Sequence, residues 1–510
     1  MELELQNELF ACFQAYPALT DAYEETAETI VPDYCPDVAR IVDASACLLL
    51  RSRELTDGRA SVSGSVKMTV LYLPEDGQGL RNIDYAIPFE HVFDARLPEH
   101  CGDAAVEGCV AGSDVRLMNP RKLFTRVQLE LRLTPFCRST LTVCTAIPEE
   151  ERFHIEQQRE THELSLLCAV REKDFVIADE LTLPGGREPI RELLRVCPTL
   201  RLTECKSVGG KVVLKGVAEL ELLYLSESGT VQCDHGELPF SQIAEGAAGD
   251  DVTAEALLRL TGSEVHTGAE AGANDARTID VKLFASACVL LRQTQRTVCI
   301  TDLYSTSHEL SVRTETLVLT GAPERTVLRR NVREQIDTGT EVRSVLCASV
   351  RFSGAHAVPG DPQTALHAAA HIKVLYLDEN GTPLLAERRC EVVLDTELPA
   401  FAQLTIRAVS AGDVTVSVNA AGLEVRFPAE FTVTTAVSPA CVCVTAVSAE
   451  ERRDAAAEAP SLVLRALRSG ETLWDVAKQY RTTIPDILAA NELTDGDGAA
   501  GQLLLIPRKR

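Results

Sequence analysis

Cysteine, histidine and tryptophan are where chemistry would first be sought in this chain, and their spacing argues against most of it. The 17 cysteines include no Cys-x-x-Cys pair; Cys441 and Cys443 come closest. Neither a disulfide framework nor a zinc site is expected from such spacing. Most of the cysteines, among them Cys47, Cys144, Cys168, Cys205 and Cys288, lie in apolar runs, where a reduced cysteine behaves as a small buried hydrophobe. His367 and His371 are close in sequence, but their segment alternates apolar and polar residues, so the spacing does not gather two ligands as a helix would. Gly209-Gly210-Lys211 runs on into Val212 and makes no phosphate loop, and neither His-Glu-x-x-His nor Gly-x-Ser-x-Gly occurs. Carboxylates are plentiful, yet none is singled out for acid–base work. No catalytic residue, metal or cofactor is expected. Trp474, the sole tryptophan, reads as a contact residue or as part of a small core.

The elements that position these residues announce themselves as a repeat. A chain of 510 residues, 45% hydrophobic and 25% charged, is folded and too long for one core. Leu-Tyr-Leu occurs at Leu71-Tyr72-Leu73, Leu223-Tyr224-Leu225 and Leu375-Tyr376-Leu377, a constant step of 152 residues (224 − 72 and 376 − 224). The register extends outward through Met68, Leu220 and Ile372, then Val70, Leu222 and Val374, then Gly77, Gly229 and Gly381. Gly58 and Gly64 match Gly210 and Gly216, whereas the third copy has drifted to Pro362 and Ala368. Val66, Met68, Val70 and Tyr72 alternate with Lys67 and Thr69, the period of a half-buried strand. Glycine-containing turns follow, as antiparallel hairpins require. Segments 124–133, 279–291 and 423–436 again read as strands, and the three tyrosines as core residues with a hydroxyl at the sheet edge. Segments 5–13 and 190–196 read as short helices.

The fold expected is mainly β: three repeated antiparallel, sandwich-like domains and a small C-terminal βααβ module. The boundaries are an N-terminal segment 1–29, repeats at 30–150, 151–300 and 301–445, a linker at 446–462 and the module at 463–510. The linker rests on the charged, alanine-rich stretch 448–461, which lacks large apolar residues. The formal charge of −25 repels phosphate backbones and anionic membrane surfaces. No apolar stretch is long enough to cross a membrane and no secretory signal is visible. Nucleic acid and membrane insertion are therefore not expected, and a cytoplasmic location is.

In the last segment, Thr472 reads as the cap of a first helix with Asp475 three residues on and an inward face of Leu473, Val476, Ala477 and Tyr480. Thr483 caps a second, with Pro485 in its first turn, Asp486 three residues after the cap, and Ile487 and Leu488 inward. Ser469-Gly470-Glu471-Thr472-Leu473-Trp474, then Ala477, Tyr480, Ile487, Leu488, Asn491 and Gly501-Gln502 before Ile506-Pro507, resemble a LysM domain. The departures are Glu471, where the family commonly has Asp, and an acidic insertion at 495–498. The resemblance implies a groove for N-acetylglucosamine polymers between the loop before the first helix and the loop after the second. Carried over, its residues are Ser469, Gly470, Glu471, Thr472, Leu473 and Trp474 with Asn491, Glu492, Leu493 and Thr494.

LPGGREPIRELLRVCPTLRLTECKSVGGKVVLKGVAELELLYL, residues 183–225, resembles the SPOCS domain of SipL-like proteins of spore-forming Firmicutes, and IVPDYCPDVARIV, 30–42, is similar to their N-terminal signature. That resemblance implies a non-enzymatic scaffold in spore coat assembly, in the mother-cell cytoplasm at the forespore surface. Its LysM module would bind the coat-basement ATPase, the coat morphogenetic enzyme that polymerises on the forespore membrane. A peptidoglycan-binding wall protein is the alternative, and a wall hydrolase has no stretch left for a catalytic domain. From Arg465 to the end the residues carry +1 (seven basic, six acidic), leaving −26 on the remainder, so the module suits a surface that the repeats would not meet.

Overall fold

A computed structural model of the chain describes all residues except 57, 78, 99, 248, 250, 268–275, 319–320, 361–362, 400–402, 437–439, 452–460, 494–500 and 509–510. The first repeat comprises β1 (Gln6–Ala15), β2 (Leu19–Ile30), β3 (Val38–Thr56), β4 (Arg59–Pro74), β5 (Arg81–Phe93), β6 (Cys101–Asn119) and β7 (Lys122–Ala146). The second comprises β8 (Ile155–Thr182), β9 (Ile190–Val208), β10 (Lys211–Ser226), β11 (Val231–Glu245), β12 (Val252–Thr267) and β13 (Thr278–Ser305). The third comprises β14 (Glu309–Val318), β15 (Glu324–Ile336), β16 (Val342–Val358), β17 (Gln363–Asp378), β18 (Pro383–Pro399), β19 (Gln403–Ala411), β20 (Thr415–Asn419), β21 (Gly422–Ala436) and β22 (Ala440–Glu450). The C-terminal module is β23 (Leu462–Ala466), α1 (Leu473–Tyr480), α2 (Ile484–Ala490) and β24 (Leu503–Pro507).

Each repeat is a two-layer antiparallel sandwich. One layer is a three-stranded meander, β3-β4-β5, β9-β10-β11 or β16-β17-β18. The other is β2-β7-β6, its counterpart β8-β13-β12, or β15-β21-β19 with β20 also on β21. Period-2 patterning drives this: Val66, Met68, Val70 and Tyr72 on β4 point into one core with Leu123, Val127, Leu129 and Leu131 of β7, all buried. The second and third sandwiches pack Leu220, Leu222 and Tyr224 against Ile279 and Leu283, and Ile372, Val374 and Tyr376 against Leu423 and Phe427. The tyrosine hydroxyls sit at the sheet edge, bonding Pro36 O, Gln232 Oε1 and Thr340 Oγ1 respectively.

The leucines beside each tyrosine point the other way, and they close the molecule. Leu71, Leu223 and Leu375 meet in one cluster with Val42, Leu194, Leu80 and Leu225, so the three meanders form a ring about a pseudo-threefold axis. The third strand of each meander runs beside the first strand of the next. Arg81 on β5 pairs with Glu192 on β9 at 2.6 Å, Cys233 on β11 approaches Cys347 on β16, and Arg40 on β3 donates to Pro383 O on β18 at 3.2 Å. At the axis Asp43, Arg195 and Cys347 occupy equivalent positions one repeat apart. Arg195 reaches Asp43 at 2.5 Å, Glu221 at 2.9 Å and the Cys347 sulfur at 3.3 Å. Lys373 reaches Asp43 at 2.8 Å. The symmetric positions thus carry unlike groups that bond one another.

A second threefold contact lies beyond the sandwiches. The strands β7, β8 and β13 outrun their sheets as two-stranded ribbons: residues 136–146 pair with β1, 155–167 of β8 pair with 292–305 of β13, and β14 pairs with β22. The three ribbons share a core of Phe10, Val143, Leu164, Ile300, Leu303, Val444 and Val447.

Several sequence expectations are corrected here. The two helices read at 5–13 and 190–196 are strand β1 and the start of β9; β9 buries Ile190 on its sandwich face and Leu194 on its ring face, which erases the alternation of a half-buried strand, whereas β1 buries Phe10 alone and so has no alternation to show. In β9 a register shift opposite Leu223 and Tyr224 blurs it further. Residues 1–29 are no separate segment, since β2 is an edge strand of the first sandwich and β1 a ribbon strand. The strand β13 runs across the 300/301 boundary, and β22 occupies 446–450 of the stretch read as linker; 452–460 lie outside the described residues, as does Pro362. Cys101 and Cys137, 36 residues apart, face each other across β6 and β7 and form a disulfide, a pairing that only strand register reveals.

A candidate binding groove on the C-terminal module

Two short helices packed on a two-stranded sheet make the module, with Leu467, Leu473, Val476, Ala477, Ile487, Leu504 and Ile506 as its core. Both caps are formed. Thr472 Oγ1 accepts from Asp475 N at 3.2 Å while Thr472 N donates to Asp475 Oδ2 at 2.9 Å, and Thr483 Oγ1 accepts from Asp486 N at 3.2 Å. The Thr472 hydroxyl also donates to Asp475 Oδ2 at 2.7 Å, and this bond, with that from Thr472 N, holds the Asp475 carboxyl below its usual range.

The candidate groove residues divide by what they touch. Gly470 holds φ +81° with open space around it, a conformation other residues seldom adopt. Glu471 is spent on its own loop, accepting from Arg465 Nη2 at 2.7 Å and Arg468 N at 3.1 Å. Leu473 is buried in the module core. Asn491 is a clamp: its Nδ2 donates to Ile487 O and Leu505 O, and its Oδ1 accepts from Leu505 N at 2.7 Å. Leu493 packs on the core. Ser469, Gly470, Thr472 and Glu492 remain exposed on the two loops, and Thr494 lies outside the described residues. The loops therefore offer a shallow polar surface built on a rigid base.

Trp474 faces elsewhere. Its indole Nε1 donates to Asp302 Oδ2 at 2.8 Å, and its ring meets Tyr304 edge-on with centroids 4.9 Å apart. Lys478, one turn on, pairs with Asp302 at 2.6 Å. Arg481 pairs with Glu309 at 2.8 Å, and Tyr304 Oη donates to Thr482 O at 2.7 Å. Helix α1 thus docks the module onto the tip of the β8–β13 ribbon, where β13 passes into β14, and Tyr304 is buried in the module's own apolar cluster. Sequence reasoning missed Asp302, Tyr304, Lys478 and Arg481; the i, i+4 spacing of Trp474 and Lys478 put both on one helix face, but nothing local named the partner surface.

The histidines singled out by spacing are used structurally. His367 Nδ1 meets Glu391 Oε1 at 2.7 Å, and His371 Nε2 meets Ser353 Oγ at 2.9 Å. Among the described residues one group, Glu221, Cys233 and Cys347, brings three potential metal ligands within 4.8 Å of one another.

Comparison with known proteins assigns the parts. The model for the SPOCS domain of SipL matches residues 37–112 and 189–259, which run from β3 into β6 and from β9 into β12. The LysM domain model matches 467–507. The chain therefore carries SPOCS domains in its first two repeats and a C-terminal LysM domain, both non-catalytic domain types. No curated protein and no solved structure matches it.

Proposed function

We propose that this protein is a non-enzymatic scaffold of spore-envelope assembly. Its ring of repeats holds the LysM module at a ribbon tip and presents the groove loops to a coat-basement ATPase in the mother-cell cytoplasm. The observation that supports this most is the docking: α1 fixes the module to the scaffold through Asp302, Tyr304 and Glu309 while Ser469, Gly470, Thr472 and Glu492 stay exposed. A surface presented at a fixed orientation serves assembly, because ordering costs are met before the partner arrives. Binding of N-acetylglucosamine polymer is a second reading, favoured by the LysM match and the same open polar loops.

Both readings are separated by one experiment. Chain ending at Pro460, full-length protein and a Glu492→Arg variant are used to capture the polymerising ATPase, with chito-oligosaccharide titrated in parallel. Loss of ATPase capture in the first and last, with capture retained by the full chain and no tight sugar binding, is the expected result. Undiminished capture by the truncated chain would place the partner site on the repeats, and tight sugar binding with no ATPase capture would establish the glycan reading.

A further inference from the structure

Where the second repeat meets the third in the ring, two cysteines face an arginine and a carboxylate. The sulfurs of Cys233 on β11 and Cys347 on β16 and a carboxylate oxygen of Glu221 on β10 lie within 4.8 Å of one another. Arg195 on β9 enters the same cluster, its Nη2 3.3 Å from the Cys347 sulfur and 2.9 Å from Glu221 Oε1, its Nη1 held by Asp43. Cys347 is buried and Cys233 half-buried, so the pair is reached from the Cys233 side. No other seam repeats the arrangement: one step of 152 residues from Cys233 falls on Arg81 and Leu385, and from Cys347 on Arg195.

The chemistry of the two sulfurs is unequal. A guanidinium stays charged and favours a thiolate beside it. The hydrogen bond from Cys233, joined by Arg195, draws the Cys347 thiol below its usual range against burial, while the same contact and burial push the Cys233 thiol up. Cys347, with the guanidinium on its sulfur, is the one placed to act as nucleophile, and Cys233 lies within 4.8 Å of it as the partner. A divalent cation would have to displace Arg195, which already occupies Glu221 and Cys347. Another close sulfur pair, Cys299 and Cys441 at 3.5 Å, lies in the apolar ribbon core beside Cys443, where burial pushes both thiols up and no cation acts on either.

We propose that Cys233 and Cys347 form a redox-responsive dithiol that closes to a disulfide across the seam between the second and third repeats, with hydrogen peroxide as the oxidant. The Cys347 thiolate attacks one peroxide oxygen; the S–O bond forms, the O–O bond breaks, and the departing hydroxide takes a proton from solvent. The Cys233 sulfur then displaces the sulfenic hydroxyl, which leaves as a second water with the Cys233 proton. Two thiols are oxidised by two electrons and one peroxide is reduced to two waters. The bond ties two repeats of the ring covalently and removes unfolded-chain freedom over a sequence separation of 114 (347 − 233).

The test uses the reduced full-length chain, exposed to one equivalent of peroxide near pH 7, alkylated and mapped as unreduced peptides by mass spectrometry. Apart from the Cys101–Cys137 disulfide already present in the fold, the Cys233–Cys347 peptide is expected first, ahead of Cys299–Cys441, absent from Cys347→Ser and from Cys233→Ala, and formed severalfold more slowly in Arg195→Met. Circular dichroism verifies that each variant is folded; Cys233→Ala, at a half-buried position, keeps the test informative should Cys347→Ser unfold. Earlier formation of Cys299–Cys441, or no Cys233–Cys347 peptide from folded protein, overturns the proposal. One zinc ion retained by the reduced chain and lost in Cys347→Ser overturns it too, in favour of a metal site.

Discussion

At the residue scale the informative side chain is Trp474, because its role changed once its partner was known. An exposed tryptophan by a groove would be a hot spot for an external ligand; here the indole is half-buried against Asp302 and Tyr304 of the same chain. Trp474→Ala should therefore loosen the module from the ribbon tip before it weakens any ligand, by about 2 kcal/mol, the scale of a truncated aromatic anchor. Asp302→Asn removes a partly exposed pair with Lys478 and should cost less, about 1 kcal/mol or below. Amide exchange that quickens in α1 and at the end of β13 for Trp474→Ala, with β3–β5 unchanged, is the expected result; unchanged exchange in α1 would refute docking. The caps Thr472 and Thr483 were legible in sequence because a cap and its partner are three residues apart. Asp302 was not, being 172 residues from Trp474.

At the element scale the repeat shows which contacts evolution of a strand pair must keep together. Gly64 lies opposite Phe89 and Gly216 opposite Phe240, each ring covering the glycine, while the third repeat pairs Ala368 with Val392. A Cβ at Gly64 or Gly216 would run into the Phe89 or Phe240 ring and into a backbone oxygen, Leu49 O or Arg201 O. In the third copy alanine stands in place of the glycine where valine stands in place of the facing ring. Gly216→Ala should destabilise the second sandwich by about 1–3 kcal/mol through overpacking, and Gly216→Ala with Phe240→Val should recover part of it, read by thermal or denaturant unfolding. A double variant no better than the single would refute the coupling. The central strands were legible from their alternation and the period of 152 residues, since each buries one face in its own sandwich at Tyr72, Tyr224 and Tyr376. Of the misread elements, β9 buries residues on both faces with no repeated tripeptide to mark it and β1 buries Phe10 alone, so in neither does a period separate strand from helix.

At the scale of the whole molecule the repeats are three parts of one ring, and a sequence period reports likeness between repeats but not the contacts among them. The ring's polar centre is where that contact is most exposed to pH. Asp43 has a side chain 2% exposed; burial alone would raise its carboxyl, but Lys373 and Arg195 outweigh burial and hold it below its ordinary range. A carboxyl depressed in the folded state stabilises fully above its unfolded value of about 3.9, and that contribution is lost as pH falls through the lower, folded value. Lys373 is raised by the same contact, although burial opposes it, so its share persists below about pH 10.4 and is lost only as pH rises beyond. Stability of the ring should therefore be flat from about pH 5 to about pH 10 in this respect and fall on the acid side. Asp43→Asn should be less stable by about 3 kcal/mol at pH 7, because Arg195 keeps a buried charge with one partner fewer. It should also fall less steeply than wild type between about pH 5 and pH 3, since the group that titrates is gone. Urea unfolding of both proteins at several pH values gives the comparison. Parallel acid limbs would locate the acid-labile carboxylate elsewhere, whereas convergence of the two curves at low pH would identify Asp43 as the group through which protons loosen the contact between repeats.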